Sequence, residues 1–120
     1  MQPQELEERL IDFAVRVGRV VDALPRRSHL GRHVAGQLVR SGTSPAPNYA
    51  EGCAAESRRD FIHKLSISLK ELRETLIWLR IVQKAELLPA DRLGDLLDET
   101  DQLCRIIATS ILTARRNGDD

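Results

Sequence analysis

Residues 40–52 read RSGTSPAPNYAEG, and their reading decides the fold, because Gly42, Pro45 and Pro47 stand between two stretches of helical pattern. A proline in a helix interior removes a backbone donor and crowds the preceding turn, at a cost of about 3 kcal/mol. By that rule alone, residues 42–47 are a loop between two short helices. Tyr49, Ala50 and Glu51 resume a helical reading at once, however, and Leu30, Val34, Leu38, Ser41 and Pro45 keep helical spacing upstream. The competing reading is therefore one long second helix, kinked near Pro45 and stopped at Gly52.

Outward from this segment the pattern is plainer. Leu6, Leu10, Phe13, Val17, Val20 and Leu24 recur at alternating steps of four and three, which places one apolar seam on a first helix ending before Pro25. Downstream, Ser57 and Asp60 offer a cap and a first-turn carboxylate to a third helix whose seam runs Phe61, Leu65, Leu69, Leu72, Leu76 and Leu79. That helix also carries Ile62, Ile77, Trp78, Ile81 and Val82 off the seam, more apolar surface than one packed face requires, so a second buried face and self-association are expected. Pro89 suits the first position of a fourth helix, with Leu93, Leu96, Leu97, Leu103, Ile107 and Ile111 as its seam and a polar tail over 116–120. Four helices on short connections predict an all-α, antiparallel up-down-up-down four-helix bundle in a single domain, 1–120.

Composition agrees: aromatics make up 3% of the 120 residues, and Leu, Ala, Arg and Glu dominate. Lysine plus arginine equals aspartate plus glutamate at 18 each, so no global field attracts polyanions. Cys53 and Cys104 have no CxxC spacing and do not make a disulfide framework; a reducing cytoplasm and small buried thiols are the simplest reading. MQPQELEERL lacks a signal-peptide pattern, and no run approaches the ~18 apolar residues of a membrane span, so an intracellular protein without membrane partners is expected.

The charge is nonetheless uneven, since residues 25–50 carry four arginines and no acid while residues 85–120 carry four basic and eight acidic side chains. Arg26, Arg27, Arg32 and Arg40, with His29 and His33, form a block able to meet nucleic-acid phosphates, which Arg58, Arg59 and Lys64 extend. The structural alternative is a solvated face balanced by acidic neighbours. His29 and His33 share the i, i+4 spacing of zinc-binding helices, but no glutamate lies between them and Arg32 opposes a cation, so no metal is expected. Arg40, Ser41, Ser44, Asn48 and Glu51 read as a polar clasp that satisfies backbone groups freed by the prolines. No phosphate-binding glycine loop or nucleophile elbow occurs, so neither catalysis nor a cofactor is expected.

Gln37-Leu38 with Arg40-Ser41, Thr43-Ser44, Asn48-Tyr49-Ala50-Glu51-Gly52, Phe61 with Lys64-Leu65, Leu69-Lys70-Glu71, Arg73-Glu74-Thr75 with Trp78-Leu79, and Ile107 with Ser110 and Ala114-Arg115-Arg116 together resemble the four helix bundle protein family, also called the 23S ribosomal RNA intervening-sequence protein family. The likeness spans Phe13 to about Arg115; Pro45 replaces the usual aliphatic residue and Pro47 is an added proline. The resemblance favours the long bent second helix and implies a left-handed bundle assembled as a ring, typically a homopentamer, without established enzymatic activity. A related group, the accessory variability protein of diversity-generating retroelements, is strongly basic and binds nucleic acid and a reverse transcriptase. The expected function is a non-enzymatic homo-oligomeric scaffold that holds RNA or DNA through the basic block; the alternative is a protein–protein adaptor that binds no nucleic acid.

Overall fold

The structure is a computed structural model and describes residues 1–118. Five α-helices, α1 (Pro3–Ala23), α2 (His29–Thr43), α3 (Pro45–Cys53), α4 (Arg58–Lys84) and α5 (Gly94–Gly118), and one 3₁₀ turn (Ala90–Arg92) make it all-helical, with no strand among the described residues. Only Ser44 separates α2 from α3, and its own torsions are helical (φ −74°, ψ −36°), so the chain has four helical units and is compatible with a bundle. The molecule measures 54 × 21 × 21 Å.

The helix starts follow local chemistry. Pro3 sits where its missing N–H is an orphan anyway. Ser28 Oγ accepts from Gly31 N at 2.9 Å, and Ser57 Oγ accepts from Asp60 N at 3.1 Å. At the far end of α4, Glu86 is left-handed (φ 54°); the Leu87 N–H bonds Val82 O and the Glu86 N–H bonds Gln83 O, a Schellman cap made without its usual glycine. The fourth helix departs from expectation: Pro89 precedes the 3₁₀ turn, and α5 starts only at Gly94. Of the polar tail over 116–120, Arg116 to Gly118 continue α5, while Asp119 and Asp120 lie outside the described residues.

The breakers do not open a loop over residues 42–47. Pro45 and Pro47 occupy the first turn of α3, where helix donors have no intrahelical partner to lose. Neighbouring side chains add donors to carbonyls around the break: Ser68 Oγ donates to Pro45 O at 2.9 Å, Asn48 Nδ2 to Ser44 O at 3.0 Å, and Thr43 Oγ1 to Val39 O at 2.6 Å. The glycines serve approach rather than termination. A Cβ on Gly52 would lie 2.8 Å from Leu65 Cδ1, and the residue remains inside α3 with no positive φ.

Phe13, Leu10, Val17, Val34, Leu38, Leu65, Leu72, Leu79, Leu103 and Ile107 are fully buried in one core, each contributing about 1.5–3 kcal/mol relative to exposure. α4 packs against α2 and α3 on one side and α5 on the other, and α1 packs against α2, α3 and α5. This arrangement supplies, within the chain itself, the second buried face expected of the long helix. Val82 is buried, and Ile62, Trp78 and Ile81 pack on the core, because α4 has two covered faces within one chain; of that group only Ile77 is half exposed, at 51%.

Candidate nucleic-acid interface

The α1–α2 connection turns at Pro25, whose carbonyl accepts from Ser28 N, and it presents Arg26 and Arg27 to solvent. Arg32, one turn into α2, folds back onto it: Nη1 donates to Arg26 O at 2.8 Å and Nη2 to His29 Nδ1 at 2.9 Å. A guanidinium only donates, so His29 Nδ1 is the acceptor in this contact. Among the described residues none of these three arginines is ion-paired, although Asp22 borders the same surface depression.

Arg40 is different. Its guanidinium donates to Glu71 Oε2 at 2.9 Å and also to Glu74, which in turn accepts from Trp78 Nε1 at 3.0 Å. Two carboxylates satisfy this charge, so Arg40 belongs to the α2–α4 contact rather than to an open cationic surface. The other clasp residues divide likewise. Asn48 bonds Ser44, Ser41 pairs with Thr75 at 2.9 Å, and Glu51 accepts from Lys64 Nζ at 3.1 Å. From Arg40 to Glu51 the partners on α4 descend from Glu74 to Lys64, so α4 runs opposite to α2 and α3.

The seven cations singled out from sequence do not form one surface. Helical rise places the start of α2 roughly 36 Å from the end of α3. Arg58 and Arg59 begin the antiparallel α4 beside α3, so they occupy the opposite end of the rod from Arg26, Arg27 and Arg32. There they share a depression with Arg115, while Lys64 is occupied by Glu51. Sequence reasoning missed Lys70, Arg73 and Arg115, which line a second depression between α4 and α5; only helix packing brings residues so distant in the chain together.

His29 and His33 take different neighbours. His33 meets the edge of Trp78 with ring centroids 5.7 Å apart and planes at 71°. Among the described residues no group of three His, Cys, Asp or Glu side chains is placed to hold a metal ion. Cys53 is exposed rather than buried, because α3 ends there before any helix covers it. Cys104 is half-buried, and desolvation raises its thiol pKa against the opposing field of Arg73. Among the described residues no helix is long and apolar enough to cross a membrane.

An all-helical chain with a polar α2–α4 seam and cations at both ends defines a class of small helical-bundle protein. The model of the 23S rRNA-intervening sequence protein family matches residues 4–109, and the chain belongs to that family. A crystal structure of a protein of unknown function from the S23 ribosomal protein family of Bacteroides thetaiotaomicron is similar at a TM-score of 0.81 and 29% identity, over 88% of this chain and 97% of that one. No curated protein matches the sequence.

Proposed function

We propose that the protein is a non-enzymatic scaffold of the cytoplasm, an up-down-up-down bundle with a long proline-bent second helix, which self-associates and holds RNA or DNA. By resemblance the assembly is a homopentamer. The observation that carries the nucleic-acid reading is the contrast between Arg26, Arg27 and Arg32, which have no carboxylate partner among the described residues, and Arg40, which has two. Unpaired cations can exchange counterions for phosphates, and repetition around an assembly turns weak contacts into avidity.

The experiment is light scattering of the purified protein with a structured RNA across a salt series, repeated with Arg26, Arg27 and Arg32 all changed to glutamine. The assembly is expected to gain mass with RNA at low salt and lose it as salt rises. In the variant, the log–log salt slope is expected to fall by roughly 0.7–0.9 per phosphate contact removed. Unchanged binding would exclude this patch. A protein-adaptor role is the second reading, favoured by the depression of Ile77, Ile81 and Ala85, flanked by Arg80 and Lys84, near the far end of α4; it predicts an assembly that ignores RNA at every salt concentration.

A further inference from the structure

Two depressions adjoin along the α4–α5 seam, with Arg115 lining both. Arg58 and Arg59 stand at one end of the resulting groove, and Lys70 and Arg73 stand further along α4. No carboxylate lines either part, and none of these five cations is ion-paired among the described residues. The groove is also apolar, with Leu69 along it and Leu112 52% exposed. It contains no aromatic ring on which a base could stack, and a phosphate backbone would leave Leu112 uncovered. Its chemistry fits an acidic helix with aliphatic side chains.

The molecule carries such a helix face. Arg9 turns toward α5 through Glu99, and Val17 turns toward α2 at Gly42. With 3.6 residues per turn, Glu8, Ile11 and Val15 therefore lie on the outward face of α1. Ile11 is 41% and Val15 48% exposed, with Glu8 and Asp12 exposed beside them and unpaired among the described residues. The spacings agree: Glu8 and Asp12 are about one helical turn apart, as are Lys70 and Arg73. α1 and α4 occupy opposite corners of the bundle, each packed on α2, α3 and α5, so the two surfaces cannot meet within one copy.

We propose that the outward face of α1 in one copy seats in the α4–α5 groove of the next. Glu8 and Asp12 meet Lys70, Arg73 and Arg115, and Ile11 and Val15 cover Leu69 and Leu112. The two patches differ, so the contact is head-to-tail and propagates until it closes a ring or runs on as a filament. This inference rests on the self-association proposed above and names its interface.

Charge reversal tests it on the full chain. Glu8→Lys with Asp12→Lys, and separately Lys70→Glu with Arg73→Glu, are each expected to raise the dissociation constant of the assembly roughly tenfold or more; combining both pairs restores the mass read by light scattering. All four residues are exposed, and matching helical circular dichroism shows that each variant is folded. A monomeric parent protein overturns both the interface and the self-association. An assembled parent whose mass resists both reversals overturns the interface alone. Unchanged mass with lost RNA retention in the groove variant also overturns it and assigns the groove to nucleic acid.

Discussion

Val17 packs directly over Gly42: a Cβ at residue 42 would stand 2.5 Å from Val17 Cγ1 and 2.9 Å from its Cβ. Neither atom lies at the far end of a flexible chain, so α1 and α2 can approach this closely only over a residue without a side chain. Gly42→Ala is expected to destabilise the protein by about 1–3 kcal/mol. Gly36, on the same helix, has open space at its Cβ position, and Gly36→Ala is expected to stabilise by about 0.5–1 kcal/mol through helix propensity. Urea unfolding of the two variants should give opposite signs; the same sign for both would exclude close packing at Gly42.

Thr75 Oγ1 lies 2.9 Å from Ser41 Oγ and 2.8 Å from Glu71 O, and both hydroxyl-bearing residues are fully buried. Thr75 donates to the carbonyl and accepts from Ser41, which uses each hydroxyl proton once. Thr75→Val should cost about 1–3 kcal/mol because it strands the Ser41 hydroxyl, and adding Ser41→Ala should recover part of the loss. A double-mutant cycle measures the coupling; strict additivity would show that the pair is not bonded.

Glu86 holds a left-handed cap position that favours glycine. Glu86→Gly is expected to stabilise by about 0.5–1 kcal/mol, read from the unfolding midpoint, by relieving strain at an exposed site.

Burial, and then contact with the Cys53 thiol, raise the Tyr49 pKa above its ordinary 10.0. The folded protein thus prefers the neutral phenol. This stability is present in full below the ordinary tyrosine value and is lost as pH rises above it toward the folded value. Absorbance titration of this single tyrosine should show ionisation delayed past pH 10.0 and coincident with unfolding. Reversible ionisation at the ordinary value in a folded chain would contradict the burial.

Much of the helical pattern was legible in the leucine seams, because 3.6-residue periodicity is a local property. Ser57 as a helix start belongs to the same order of information, since a cap needs only its own first turn. The site was less legible. Arg26, Arg27 and Arg32 are close in sequence and close in space, whereas Arg40 left the patch once Glu71 and Glu74, more than thirty residues away, closed on it.

Sequence by itself determined the helices, their apolar faces and the acid-free charge block, all of which depend on neighbours within a turn or two. Tertiary structure alone decided that Gly42 and Gly52 are points of close contact, that the surplus apolar surface of α4 is used inside the chain, and that Lys70 and Arg73 share a groove with Arg115. These outcomes depend on which helix lies beside which, and they follow from the rise and antiparallel course of α4 rather than from spacing along the chain.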